Sequence, residues 1–412
     1  MTQNAPTTVA PNARWIAPLC WAVVMLEGFD LVVVGVVNAV LRTDPAWQLN
    51  PGVAGLVASI GLVGVMVGAL AIGPLSDIAG RRRLLMANVA VFSVFTLACA
   101  FVTEPWTYGA MRFLAGLGLG GVLPAAIAMV NERGRAGSAG ASTTTLMTGY
   151  HVGAVLTALL GTFIPQTLGW QALFVIGAVP GFLLLPVLYR YLPETEAFEA
   201  AKATRTANPI STLFRGGLLV PTIAFWITSF MGLLLVYGLN TWLPELMRAA
   251  GYQLATGLVL LLVLNVGAVA GLLLAGRVAS RIGTRTAVIS WFALAAVFLA
   301  VLSIRLPGIG IYVSVLLAGV FVFSSQVLVY AFVAERYPAA VRATAIGSAS
   351  GVGRLGAIVG PLVGGQLIAA GVGYPWGFYV FAIVAVLGGA AVATVTMSRT
   401  EAAADAEGAV PR

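Results

Sequence analysis

Charge is scarce in this chain of 412 residues: only 9% of its side chains are Asp, Glu, Lys or Arg. A soluble domain carries about 25% charged residues, because a water-facing surface cannot be made without them. With 60% hydrophobic residues, the composition excludes a soluble enzyme, a nucleic-acid-binding domain and a disordered chain. Histidine occurs once and cysteine twice. No Cys/His cluster, metal-ligand spacing or phosphate loop can be assembled, so a membrane-embedded enzyme is disfavoured and neither metal nor cofactor is expected. Cys20 and Cys99 lie inside apolar runs, where they read as small buried residues rather than a disulfide framework. Acid is the scarcer charge, 14 residues against 22 basic, for a net charge of +8. In a membrane protein that excess comes from cytoplasmic loops and calls for no nucleic-acid partner.

Long apolar runs are what the chain has in abundance. They reach the roughly 20 residues that a helix needs to cross the hydrocarbon of a bilayer. They do not alternate with period two, so helices rather than a closed barrel are expected. Twelve runs are read, at about 15–41, 53–76, 84–103, 106–131, 139–164, 170–190, 216–240, 254–278, 286–304, 308–333, 343–368 and 374–397. The first run is too long for a signal-peptide core and is taken as a retained span. One long polar break, 191–215, divides an N-terminal half (15–190) from a C-terminal half (216–397), with short tails at 1–14 and 398–412. With the N-terminus inside, 17 of the 22 basic residues fall in cytoplasmic segments and three, Arg42, Arg248 and Arg305, in outer loops. That asymmetry predicts a multi-pass protein of the inner membrane with both termini cytoplasmic.

The halves repeat. A shift of 203 residues brings Gly73, Gly80 and Arg82 onto Gly276, Gly283 and Arg285. The same shift brings Glu132 and Arg133 onto Glu335 and Arg336, and Gly153 and Gly161 onto Gly356 and Gly364. Six spans per repeat is an even number, so the halves share one orientation and are related by an axis along the membrane normal. That is the arrangement of major facilitator carriers, whose substrate site lies at mid-membrane between the halves.

Two motifs carry a closer resemblance. The segment from Gly73 through Pro74, Leu75, Asp77 and Gly80 to Arg81, Arg82 and Arg83 resembles the loop that marks the major facilitator superfamily, G-x-L-x-D-x-x-G-R-[RK]. Its glycines permit a tight turn, and its charges suit a gate that pairs in one conformation and parts in the other. The second copy has Ser280 where Asp77 stands, so the gate is expected to be asymmetric. Span 1 holds Glu27-Gly28-Phe29-Asp30, which resembles the D-G-[FY]-D motif of the aromatic acid:proton symporter family, with Glu27 in place of the first Asp. The segments Arg112–Gly121, Glu335–Pro338 with Arg342, and Gly353–Gly356 resemble the same family in spans 4, 10–11 and 11. The resemblance implies an all-α major facilitator fold and proton-coupled import of a small aromatic carboxylate such as benzoate or a hydroxybenzoate. It also implies a carrier working in the lipid bilayer as a monomer. Alternatives are a carrier of another organic acid such as a dicarboxylate, a proton-coupled efflux antiporter, and a receptor that does not transport. The segment Gly356–Gly365 matches a drug-antiporter pattern, but it falls in span 11 instead of span 5 and reads as a close-packed, kinked helix.

Five ionisable side chains fall inside spans: Glu27, Asp30, Arg112, His151 and Arg354. Each costs about 2.5–3.5 kcal/mol at the bilayer centre and is a functional candidate by default. Glu27 and Asp30 share one helix face, and two carboxylates so close in lipid do not both ionise cheaply. Asp30 is expected to be the main proton-coupling group, with Glu27 as its partner and Asp30 also near substrate. Arg354 suits a substrate carboxylate bidentately, or a bridge to Asp30. His151 is Arg354's counterpart under the 203-residue shift and is expected to face the same cavity. Arg112 either snorkels outward or pairs with the span 1 carboxylates. The walls are expected to include Phe225, Trp226, Tyr237, Phe323 and Tyr330, with Asn240, Asn265 and Gln326 orienting ring hydroxyls. Gly73, Asp77, Gly80, Arg81, Arg82, Glu132, Arg133, Arg285, Glu335, Arg336 and Arg342 are expected to form the inner gate.

Overall fold

The computed structural model describes residues 13–44, 46–47, 49–133, 139–193, 213–214, 217–337 and 339–395. The side chains of 13, 72–79, 128, 131–133, 139–144, 339–340 and 343 lie outside that description. Among the described residues, twelve long helices and one short one follow each other: α1 Ile16–Leu41, α2 Pro51–Ala79, α3 Arg81–Cys99, α4 Pro105–Arg133, α5 Ala139–Gly161, the short α6 Ile164–Leu168, and α7 Gln171–Tyr191. The second series is α8 Leu219–Ala249, α9 Leu254–Ile282, α10 Thr284–Val301, α11 Ile309–Arg336, α12 Ala339–Ala369 and α13 Trp376–Ala393. Eleven of these are long and apolar enough to cross a membrane, and α5 supplies a shorter apolar stretch, Thr145–Gly161. Large apolar side chains such as Leu70, Leu183, Ile383 and Val386 are left exposed, as suits a surface that meets lipid instead of water.

The duplication appears in the helix ends themselves. α2 and α9 begin and end 203 residues apart, as do the first residues of α1 and α8 and of α3 and α10. Both α2–α3 and α9–α10 turn on a glycine with positive φ, 86° at Gly80 and 83° at Gly283. Only glycine adopts that conformation without strain, so two short motifs set matching corners in the two halves. Packing repeats as well. α1 lies on α5 as α8 lies on α12, α2 on α4 as α9 on α11, and α3 on α7 as α10 on α13. Between the halves, α2 meets α12 and α5 meets α9, and α1 touches α8.

Small residues let these pairs approach closely, the usual way helices associate where lipid is as apolar as leucine. A Cβ at Gly64 would sit 2.2 Å from the Phe113 carbonyl oxygen, and one at Gly267 would sit 2.2 Å from that of Leu316. These are the same contact in each half. Gly64→Ala or Gly267→Ala is therefore expected to push a helix pair apart at a cost of about 1–3 kcal/mol. A lowered unfolding temperature in detergent would show it, and an unchanged one would contradict the contact.

Candidate functional site

The five intramembrane ionisable groups sort into two clusters. Asp30 of α1 is 1% exposed and belongs to the first half alone. Thr96 Oγ1 of α3 donates to its Oδ1 at 2.6 Å, and Arg112 Nη1 of α4 donates to the same oxygen at 3.1 Å. Arg112 Nη2 lies 2.9 Å from Oδ2 and also donates to the Asp30 carbonyl at 3.1 Å. Arg112 is itself 2% exposed, so it pairs with a span 1 carboxylate and does not snorkel. The expected bridge from Asp30 to Arg354 is not the one formed. Asp30 faces Thr96 of α3 and Arg112 of α4: three residues on from Glu27, it stands about 60° round the helix and about 4.5 Å along it, which gives two carboxylates on one broad face different neighbours.

Glu27 occupies a different setting. It is 2% exposed, its Oε2 has no hydrogen-bond partner, and the charges that act on it are the attraction of Arg354 and the repulsion of Asp30. Arg354 of α12 donates from Nη1 to the Tyr237 hydroxyl of α8 at 3.2 Å. Among the described residues no carboxylate pairs with it directly. Tyr237, Glu27, Tyr330 and Tyr150 all act on its charge, so α1, α5, α8, α11 and α12 converge on one guanidinium. His151 of α5 is 6% exposed with Nδ1 unpartnered. Its ring meets Phe323 of α11 edge to face, with centroids 6.0 Å apart. Phe323, Gln326 and Tyr330 share one face of α11 by spacing, and both amide atoms of Gln326 are buried without partners. The sequence-predicted Glu27, His151, Arg354, Tyr330 and Gln326 thus gather around the seam between the halves.

Other candidates stand elsewhere. Asn240 Oδ1 accepts from Asn265 Nδ2 at 3.1 Å, a bond between α8 and α9 that leaves Asn240 Nδ2 and Asn265 Oδ1 buried without partners. Phe225 is 1% exposed and packs on Phe332 and Tyr337. Trp226 Nε1 donates to Ser348 Oγ at 3.0 Å.

The expected inner-gate residues do varied work. Arg82 donates to the Tyr189 carbonyl at the end of α7 and lies over that ring. Arg285 donates to the carbonyls of Val395 and Ala393, each at 2.8 Å, at the end of α13. These equivalent arginines brace the last helix of their own half, where the helix dipole favours a cation. Glu335 accepts from Thr284 Oγ1 at 2.7 Å, again within one half. Arg342 donates from Nε to the Tyr337 carbonyl at 3.3 Å. Arg81 opens α3 and Arg336 ends α11, both half-buried. Gly73, Asp77, Glu132 and Arg133 lie on α2 and α4, with side chains outside the described residues.

One end of the bundle is shut. Along a single face of α12, Ile358, Pro361 and Gly365 meet the first half: Ser59 Oγ donates to the Ile358 carbonyl at 2.7 Å, and Cβ atoms at Gly55 and Gly365 would lie 2.8 and 2.9 Å from the carbonyls of Pro361 and Pro51. The same face continues to Gly351 and Gly347, where an added Cβ would meet nothing within 4 Å. The halves therefore touch at the end carrying the α1–α2 and α8–α9 turns, and splay apart toward the other end. At the shut end Arg42, just after α1, forms an ion pair with Glu245 of α8, which also holds Arg248 at 2.8 Å. Sequence reasoning counted Arg42 and Arg248 only as loop charges and passed over Glu245. The available signal was that Arg42 and Glu245 are opposite charges 203 residues apart.

The Major Facilitator Superfamily model matches residues 20–361, with a second match over 263–411. The gentisate transporter of Corynebacterium glutamicum is 35% identical over 91% of this chain and 86% of its own length. The benzoate transport protein of Acinetobacter baylyi is 31% identical over 90% of this chain and 89% of its own. Among solved structures, the crystal structure of a D-xylose–proton symporter superposes with a TM-score of 0.78 at 18% identity, covering 93% of this chain and 98% of that one. That likeness concerns the fold, and the matched family and relatives agree with it. The chain belongs to the Major Facilitator Superfamily, on the branch of the aromatic acid:proton symporters that its span 1 motif resembles.

Proposed function

We propose that this carrier imports a small aromatic carboxylate together with a proton, Glu27 being the proton site and Arg354 the carboxylate site. The observation that carries the reading is the half-buried guanidinium of Arg354 at the seam, which among the described residues has no direct carboxylate partner but feels Glu27 across the seam. Charge balance then supplies the coupling. While Glu27 is ionised it compensates Arg354. When Glu27 takes a proton, Arg354 is left as an uncompensated cation in a low-dielectric site, and a substrate carboxylate restores neutrality. Proton and monoanion bind together because either alone leaves a buried charge.

His151, Phe323, Tyr330 and Gln326 would line the ring. The gentisate and benzoate relatives support an aromatic acid as the cargo. The distribution of basic residues supports cytoplasmic termini in a bacterial inner membrane, which makes the shut end the outer one and this conformation inward-facing. Alternating access follows as rocking of 15–190 against 216–397 about the linker. The α2–α3 segment with Gly73, Asp77, Gly80 and Arg81 would work the inner mouth, together with Glu132, Arg133, Arg336 and Arg342. The site is built within one chain, which supports a working monomer. One proton with one monoanion moves no net charge, so the drive is the pH gradient, about 1.4 kcal/mol per unit.

Uptake of labelled benzoate, hydroxybenzoate and gentisate into cells tests the reading. Accumulation that collapses with the pH gradient is expected, and absence of uptake or indifference to the gradient would overturn it. In the same assay Arg354→Lys keeps the charge but loses the planar fork. It should raise KM by about tenfold or more, and a wild-type KM would remove Arg354 from the substrate site.

A further inference from the structure

Arg42 and Glu245 are equivalent positions of the two halves, and they touch each other. Two positions exchanged by a pseudo-two-fold axis come into contact only beside that axis, so this pair stands at the centre of the shut mouth. Glu245 is 2% exposed, and its Oε2 is shared by Arg42 from the opposite half and Arg248 from its own helix. Glu245 Oε1 and Arg42 Nε remain buried without partners. The Arg42 guanidinium also lies over the Trp242 ring, 6.0 Å from its centroid, and the Trp242 indole is fixed by a 2.7 Å bond to the Pro361 carbonyl. Arg42 is therefore framed by a carboxylate and an aromatic face, the two groups that make up an aromatic acid, both supplied by α8.

We propose that Arg42 is the outer docking point for the substrate carboxylate, and that opening the mouth exchanges the Glu245 carboxylate for that of the incoming aromatic acid. The identity of the incoming acid rests on the proposed function above. When α1 and α8 part, Glu245 keeps Arg248, because the two are three residues apart on one helix. Arg42 travels with the other half and loses its anion. A guanidinium freed at a partly desolvated mouth binds a replacement carboxylate through charge-assisted hydrogen bonds, so substrate offsets the cost of breaking the bridge. Arg42 ends the helix that carries Glu27, roughly 22 Å deeper along α1, which places the docked acid at the entrance to the coupling site.

Arg42→Gln and Glu245→Gln break the same bridge from opposite sides, and their comparison is the test. The reporter is Ser59→Cys in the α2–α12 seam, in a background carrying Cys20→Ala and Cys99→Ala, labelled from outside by a membrane-impermeant maleimide. Both variants are expected to raise labelling. Uptake kinetics then separate them: Arg42→Gln should raise KM by about tenfold, whereas Glu245→Gln should leave KM unchanged or lower it, because it removes the competing carboxylate. Equal KM changes in the two variants would make Arg42 a latch alone and overturn the docking role. Unchanged labelling in both would overturn the exchange itself. If Arg42→Gln fails to accumulate in the membrane, the Arg42→Gln/Glu245→Gln pair buries no unmatched charge at the bridge and should show the same rise in KM. Absence of aromatic-acid uptake by the wild type would overturn the substrate reading and the docking role together. Equal KM changes on top of intact wild-type uptake overturn the docking role alone.

Discussion

Glu27→Gln is expected to abolish proton-driven accumulation while leaving exchange of substrate across the membrane intact. Glutamine holds the shape of a protonated glutamate and never ionises. Arg354 would then lack the charge that otherwise balances it, and the substrate carboxylate would bind without a proton being taken up. Such a carrier moves a bare anion, which the inside-negative potential opposes at about 2.3 kcal/mol per charge per 100 mV. Counterflow in proteoliposomes loaded with unlabelled acid should persist, while accumulation driven by an imposed pH gradient should vanish. Wild-type accumulation in Glu27→Gln would move the proton to another group, with Asp30 the next candidate.

Asp30→Asn is expected to fail in another way, by loss of folded protein. Asp30 is the neutralising partner of Arg112, and both are at most 2% exposed. Removing one partner of a buried pair costs about 3–5 kcal/mol, because the other charge stays buried and unmatched. The double variant Asp30→Asn/Arg112→Gln removes both charges and should recover much of that loss, so the two substitutions should be strongly non-additive in a double-mutant cycle. Unfolding temperatures in detergent measure it. If Asp30→Asn unfolds like the wild type yet cannot accumulate substrate, Asp30 is a coupling residue and its pairing with Arg112 is incidental to stability.

The contrast between these neighbours shows how far sequence reasoning reaches. Glu27, Asp30, Arg112, His151 and Arg354 were identifiable because a charge in a lipid-spanning run is costly wherever it lies. Their pairing was not, because it depends on which neighbour each helix face meets. Asp30 turns into its own half toward Thr96 and Arg112, while Glu27 turns toward the seam. The Gly-x-x-x-Gly-Pro pattern at Gly356–Pro361 was read correctly as close packing: the Gly356 Cβ position lies 1.9 Å from the Phe230 carbonyl oxygen. Arg82 and Arg285 have the spacing of gate residues, and each also bonds to backbone carbonyl oxygen at the end of a helix in its own half. A guanidinium has donors enough for a helix end and a gate carboxylate together, and the helix-end bonds became visible only in the tertiary structure.

The number of long helices, most of their bounds and the 203-residue duplication were legible in the sequence, whereas the span read as 216–240 runs on to Ala249 and carries Trp242, Glu245 and Arg248 on α8. Inside lipid the backbone must satisfy its own hydrogen bonds, which leaves helices of a set length as the outcome of an apolar run. The tertiary structure decided which charges face each other, which end of the bundle is shut, and that Arg42 meets Glu245 on the pseudo-symmetry axis. Those contacts join residues far apart in the chain, and they follow from the azimuth and tilt of helices packed through small residues, quantities that no local pattern encodes.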